Sequence, residues 1–266
     1  ENYWGTEPNV DGIEFRIISD SNQAINAVQT GEVDIAMYLQ GEAIKRAQDA
    51  NLLLQAPSSA VTYVRFNMQN GPTANADVRK ALTMAVDIDS MVAGIYQYGE
   101  GTRAYQRFRY TPSLMTLHTM ILYHLRSEGA KKLLAEAGYP DGFTMSLYIG
   151  STTYREKMAQ MLQYYWSQIG VTLDIKSSTM ADWSAAAVDS WQSDVVNSYG
   201  VSWNSDPDPY GFLGKFFSSQ TLHASSNAGG YNDAELDELL NEGFGSTDNA
   251  KRAESYKKVI EKVMNE

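Results

Sequence analysis

The sequence predicts an α/β fold, on three observations. Short β-rich runs alternate with helix-period apolar stripes along most of the chain, glycines close several of the stripes, and the connections between them are short. The first unit reads as strand, helix, strand. Ile13-Glu-Phe-Arg-Ile-Ile18 alternates at strand period, Asp20 offers a cap for a helix carrying Ala24, Ile25 and Val28 inward, Gly31 ends it, and Val33-Asp-Ile-Ala-Met37 resumes a strand. A short helix follows over Glu42 to Asp49, then a strand over Tyr63-Val-Arg-Phe-Asn67. After Gly71-Pro72, Asp77 is positioned to cap a helix with Val78, Ala81, Leu82 and Ala85 on one face, and Asp87 to cap the next, with Met91, Val92, Ile95 and Tyr96 inward. Residues 99–127 show no clean period. From Glu128 the pattern sharpens: a helix over Ala130 to Ala137 closed by Gly138, a strand over Phe143 to Ile149, a helix with Met158, Met161, Leu162, Tyr165 and Ile169 closed by Gly170, and a strand over Val171 to Ile175. A helix from about Ala181 to Trp191 leads to a strand, Val195 to Trp203, and two helices finish the chain, Asp233 to Asn241 and Asp248 to Met264.

Composition narrows the function classes. The 266 residues carry a formal net charge of -11, and no basic run forms a patch, so nucleic acid is excluded as a partner on electrostatic grounds. Lys131-Lys132 and Lys257-Lys258 read as solvated helix faces. The absence of cysteine excludes disulfides, Cys zinc sites and thiol catalysis. No apolar run approaches the roughly 18 residues of a membrane span. The chain begins at Glu1 without methionine and stops directly after a helical pattern, which reads as a fragment of a longer chain.

Motifs for chemistry are sparse. His118 and His124 stand on different faces of any helix, and His223 is far from both in sequence. There is no nucleophile elbow and no Walker loop. Asp206, Asp208 and Tyr210-Gly211 have the opening spacing of an EF-hand loop, but the loop's last ligand position holds Phe217, so no metal is expected. The 17 tyrosines and 5 tryptophans suit core packing and equally a binding cleft, since such rings combine area with a polar tip.

One stretch stands out: Trp203-Asn-Ser-Asp206-Pro-Asp208-Pro-Tyr-Gly-Phe-Leu213, directly after the β-like run Val195 to Trp203. Proline cannot donate to a strand ladder, so the strand stops and the chain turns there. The turn leaves an indole and two carboxylates at the end of a strand, where open α/β sheets bind ligands. Asp-Pro pairs are also ordinary turn formers, and Trp203 suits core packing as well as it suits a ligand wall.

Several segments, in order, carry a resemblance. Asn2-Tyr3-Trp4, Ala27-Val-Gln-Thr-Gly31-Glu-Val-Asp34-Ile-Ala, Phe66-Asn67, Asp77-Val-Arg79-Lys-Ala-Leu82-Thr-Met-Ala-Val-Asp87, Ala130-Lys-Lys-Leu-Leu-Ala-Glu-Ala-Gly138-Tyr-Pro-Asp-Gly-Phe143, Trp166-Ser-Gln-Ile-Gly170-Val, Gly230-Tyr231-Asn232 with Asp237 and Leu240, and Asp248 with Arg252 and Tyr256 resemble the second half of extracytoplasmic solute-binding proteins of the peptide and nickel class, family 5, which serve ABC importers. The resemblance implies a two-lobe, type II periplasmic-binding-protein fold: residues 1–68 part of the first lobe, residues 69–264 most of the second. In peptide-binding members an aspartate of a Trp-x-x-Asp turn pairs with the ligand's α-ammonium. Asp206 matches by its spacing from Trp203, and Asp208 is a second match. Ser202 and the 99–127 segment depart from the family pattern.

What the resemblance implies is a non-enzymatic binding component, without cofactor or metal. It captures a solute, a di- or oligopeptide first, by lobe closure and delivers it to an ABC permease. Trp203, Asp206 and Asp208 are the ligand-site candidates. The expected protein is a monomer in the periplasm or on the cell surface, peripheral to the membrane through the permease or a lipid anchor. A sugar, nickel-chelate or opine binder of the same family is the alternative. A hydrolase using Asp206 and Asp208, or a lobe retained as a sensor, stands outside that class.

Overall fold

A computed structural model describes residues 4–6, 9–55, 61–103, 127–185, 195–200, 208–222, 227 and 229–265. The chain divides into two compact units, Glu1–Ala56 with Tyr96–Gly101, and Pro57–Ile95 with Thr102–Glu266.

In the first unit, helices α1 (Ser21–Thr30) and α2 (Glu42–Asp49) pack on each other. Asp20 caps α1 as the sequence predicts, accepting from the Gln23 N–H at 2.8 Å. Gly31 closes it at φ 76°, a left-handed turn that glycine enters without a Cβ penalty. Ile25, Ala43 and Ala47 form the buried centre, with Val28, Leu39 and Leu53 against it. Arg46 Nη2 ties α2 to α1 by donating to Asn26 Oδ1 at 2.6 Å and Gln29 Oε1 at 2.8 Å. The runs 13–18 and 33–37, expected as strands, form no ladder among the described residues. Their period is that of a strand, but a strand exists only by pairing. Phe15, Ile17 and Ile35 are 84%, 97% and 79% exposed.

The second unit is built on a four-stranded sheet of order β1-β4-β2-β3, with β1 at Val61–Phe66, β2 at Phe143–Gly150, β3 at Val171–Ser178 and β4 at Val195–Gly200. β2 is parallel to both β3 and β4, while β1 lies antiparallel to β4. Parallel neighbours need a crossover, and α6 (Thr153–Ser167) supplies it between β2 and β3. Met145, Leu147 and Ile149 alternate onto one buried face of β2, continued by Val171 and Leu173 on β3. α6 packs against both strands and buries Met158, Leu162 and Trp166. A fully buried leucine- or methionine-sized side chain contributes about 1.5–3 kcal/mol, so this layer is a principal source of the unit's stability.

Helices α3 (Ala76–Met84), α4 (Ile88–Ile95) and α5 (Ser127–Glu136) extend that core: α3 packs on α5 and α4 on α6. The cap of α3 is Asn75 rather than Asp77; its side chain accepts from the Asp77 N–H at 2.8 Å, so the helix starts earlier than the predicted cap would allow. Asp87 does serve the start of α4, accepting from Ser90 N–H at 3.0 Å and Ser90 Oγ at 2.7 Å. These bonds hold its carboxyl below the usual carboxylate range. The Trp166 indole donates to the Leu82 carbonyl at 2.9 Å, joining α6 to the last turn of α3 in a buried setting.

The helix predicted over 181–191 is described as α7, Met180–Ser184; residues 186–194 lie outside the described residues. A last cluster unites α8 (Pro209–Phe217), α9 (Ala234–Gly245) and α10 (Asn249–Asn265) around Leu213, Phe217, Leu236, Leu240, Tyr256 and Val259. Asp233 caps α9 through the Leu236 N–H at 2.8 Å, and Asp248 accepts from the Ala250 N–H at 2.9 Å at the start of α10. α8 is a helix where the sequence reading expects only a turn. Asp208-Pro209 is its N-cap and first residue, a start signal that resembles a turn signal.

Candidate functional site

The parallel strands β2, β3 and β4 point their carboxyl ends, at Gly150, Ser178 and Gly200, toward one edge of the sheet. β1 enters the sheet there, with Val61 opposite Gly200. That edge is where ligands bind in open α/β sheets. Hydrogen-bonding groups gather along it. Ser151 N–H donates to the Ser178 carbonyl at 2.8 Å. The hydroxyls of Ser151 and Ser177 donate to Glu156 Oε1 at 2.7 and 3.4 Å. The Trp183 indole donates to the Tyr148 carbonyl at 3.0 Å. The Arg155 guanidinium lies 5.5 Å from the centre of that indole and donates to the Gly150 carbonyl at 3.3 Å. Hydroxyls, a carboxylate and an aromatic wall of this kind suit recognition of a polar ligand. Among the described residues no group of three histidine, cysteine or acidic side chains could hold a metal ion.

Of the sequence-predicted site residues, Trp203 and Asp206 lie outside the described residues, as do His118, His124 and His223. Asp208 is described. Its Oδ1 accepts from the Tyr210 N–H at 2.9 Å, which caps α8. Its Oδ2 forms an ion pair with Arg252 Nη2 of α10. Tyr256, one helical turn further on, places its hydroxyl 3.5 Å from Oδ1. The Arg252 side chain is only 15% exposed in this pair. It is therefore better shielded than surface pairs such as Lys45–Asp49 or Lys257–Glu261, which are worth about 0–1 kcal/mol each. The hydrogen bond to Asp208 raises the Arg252 pKa. Burial, with the Asp208 charge adding to it, pushes the Tyr256 phenol up to about 12.

Arg252 and Tyr256 have no assigned role in the sequence reading. One signal was available, since residues four apart share a helix face. Their partner, however, is 44 residues upstream of Arg252, and nothing local names it.

The comparisons with known proteins agree with this architecture. Residues 1–223 match the family described as bacterial extracellular solute-binding proteins, family 5 Middle. The chain is 31% identical to heme-binding protein A of Haemophilus influenzae, over 97% of this chain and 47% of that protein. It is 29% identical to the dipeptide-binding protein of Escherichia coli, over 97% of this chain and 48% of that protein. Among solved structures, DppA from Helicobacter pylori in complex with peptide STSA superposes with a TM-score of 0.84 at 23% identity, covering 100% of this chain and 51% of that one. The dipeptide binding protein from Pseudoalteromonas sp. SM9913 in complex with Met-Leu superposes with a TM-score of 0.80 at 26% identity, covering 94% and 50%. The chain thus spans about half the length of the curated relatives it matches. Its fold is that of the type II periplasmic binding proteins. With a sheet of this topology and a family match running from residue 1 to residue 223, the chain belongs to the bacterial extracellular solute-binding proteins, family 5.

Proposed function

We propose that this chain is part of the substrate-binding component of an ABC importer, which captures a di- or oligopeptide by lobe closure and hands it to a membrane permease. The first lobe takes residues 1–56 with 96–101, and the second takes the rest, β1 included through its pairing with β4 rather than starting at residue 69. The observation that carries this reading is the direction of β4. It runs parallel to β2 and ends at Gly200, on the edge where open α/β sheets bind ligands. The similarity to a dipeptide-binding protein and to a structure bound to Met-Leu supports a peptide as the solute. Trp203 flanks the ligand and Asp206 receives its α-ammonium, because an ammonium taken out of water needs an anion. Binding is non-enzymatic: closure shifts a population of conformers and no bond is made or broken. The protein works outside the cytoplasm, and no helix among the described residues is long and apolar enough to cross a membrane.

In the full-length protein, Asp206→Asn should weaken dipeptide binding by about 2–5 kcal/mol, as removal of one partner from a desolvated charge pair does. Titration calorimetry with alanylphenylalanine measures it, and unchanged affinity removes Asp206 from the site. The similarity to heme-binding protein A favours a second ligand, heme. Saturable hemin binding that alanylphenylalanine fails to displace would favour that reading over peptide capture.

A further inference from the structure

We propose that Glu156 is a specificity residue on the carboxyl edge of the sheet: with Ser151 and Ser177 it forms a subsite for a cationic side chain of the captured solute, an ammonium or a guanidinium. The inference rests on the reading of the solute as a peptide.

The strands prepare the site. Met145, Leu147 and Ile149 share one face of β2, and their partners Leu173, Ile175 and Ser177 share the same face of β3. The apolar period therefore ends in a hydroxyl on β3, opposite Ile149. On the exit from β2 the next position of the period is Ser151, again a hydroxyl. Both donate to Glu156 Oε1, Ser151 Oγ at 2.7 Å and Ser177 Oγ at 3.4 Å. Two neighbouring strands thus orient one carboxylate, and Oε2 accepts no hydrogen bond among the described residues. The group is open to solvent on the edge where open α/β sheets bind ligands.

Glu156 is not spent on its own helix. It is the fourth residue of α6, one past the position from which a capping-box glutamate reaches back. The cap is Thr152, whose hydroxyl accepts from the Arg155 N–H at 3.4 Å. The positions three and four away, which share its helix face, hold Thr152, Thr153, Ala159 and Gln160, and none is a cation. Arg155 and Lys157 are its sequence neighbours, and consecutive residues of a helix do not face each other. Arg155 donates to the Gly150 carbonyl at 3.3 Å and lies against the Trp183 indole. Lys176, next to Ser177, pairs with Asp174 at 2.6 Å. Glu156 forms no ion pair among the described residues. A carboxylate held by two hydroxyls, with no cation of the chain paired to it, gains a charge-assisted hydrogen bond from a cation that the ligand brings. The same charge opposes an acidic side chain at that place.

The test uses the full-length protein and two pairs of dipeptides: alanyl-lysine with alanyl-norleucine, and lysyl-alanine with norleucyl-alanine. The members of a pair differ in one ammonium group. The readout is the ratio of their affinities by titration calorimetry, which reports the charge contact and not the stability of the fold. The unmodified protein should prefer the lysine member of at least one pair by about tenfold or more, the scale of a hydrogen bond to a charged group. Glu156→Gln keeps an acceptor for both serine hydroxyls; it should bring that ratio close to one and leave the norleucine peptides unchanged. Ser151→Ala keeps the charge but removes the shorter of its two hydrogen bonds, and should fall between. If Glu156→Gln cannot be purified folded, Ser151→Ala carries the same comparison. Ratios near one in an unmodified protein that binds the dipeptides, or a lysine preference that survives Glu156→Gln, would overturn the subsite and leave peptide capture standing. An equal loss for both members of a pair in Glu156→Gln would put the carboxylate on a group common to them, and would overturn the subsite as well. Binding of none of the four would sink the peptide reading, and the subsite with it.

Discussion

Gly142, immediately before β2, packs directly against Gly170, immediately before β3, and the contact makes a quantitative prediction. Both glycines are left-handed, at φ 75° and 87°. A Cβ on Gly142 would stand 1.9 Å from the Gly170 carbonyl oxygen and 2.5 Å from its carbonyl carbon. Gly142→Ala therefore carries two costs. The left-handed backbone costs an L-residue about 1–2 kcal/mol. The methyl also strikes main chain, which cannot rotate away, so the starts of the two strands must separate; overpacking of that kind costs about 1–3 kcal/mol. Loss of unfolded-state entropy returns about 0.4–1 kcal/mol, leaving a net cost of about 1–4.5 kcal/mol. Gly138→Ala is the control. It sits in the same unit at φ 96° with nothing within 4 Å of its Cβ, so only the backbone cost applies, about 1 kcal/mol after the same offset. Urea unfolding followed by circular dichroism and tryptophan fluorescence gives both numbers. Costs equal within about 0.5 kcal/mol, the usual scatter of surface substitutions, would refute the steric argument and leave only the torsional one.

Two further perturbations follow from the core and the site. Trp166→Phe removes the indole N–H from the buried Leu82 carbonyl and leaves a gap beneath it; the expected loss is about 2–4 kcal/mol in the same unfolding assay, and a loss below about 1 kcal/mol would mean the bond contributes nothing. Tyr256 supplies a pH signature. Its folded pKa of about 12 lies above the ordinary 10.0, so the folded state favours the neutral phenol. Stabilisation from this group is complete below pH 10 and is lost as the pH rises toward 12, by up to about 3 kcal/mol. Tyr256→Phe lacks that loss, so its stability profile should diverge from the unmodified protein's over this range, and parallel profiles would show that the phenol titrates normally.

The stretch after β4 shows both what a sequence makes legible and its limit. Proline after an acid ends a strand wherever it occurs, so an end to the run Val195 to Trp203 is expected from the residues themselves, and the described strand covers Val195–Gly200. The same two residues, Asp208 and Pro209, are equally a helix start, and only the chain beyond them decides which they are; here α8 follows. The cap of α3 shows a smaller ambiguity of the same kind, since Asn75 and Asp77 are both good cap formers and the packing of Val78, Ala81 and Leu82 selects the start. The runs at 13–18 and 33–37 mark the opposite limit. Their alternation says which side chains share a face, but the hydrogen bonds of a strand belong to its neighbour, and no ladder forms there among the described residues.

The sequence alone determined what depends on residues within a few positions of one another. Asp20 and Gly31 bound α1, the stripes of α5 and α6 choose their inward faces, and glycine stands where the backbone turns left-handed before β2 and β3. Only the tertiary structure decided the strand order β1-β4-β2-β3, the parallel direction of β4, and the meeting of Asp208 with Arg252 and Tyr256. Those contacts join residues tens of positions apart. Their energy comes from surfaces and charges that face each other only after the chain has folded, so a single sequence carries no local trace of them.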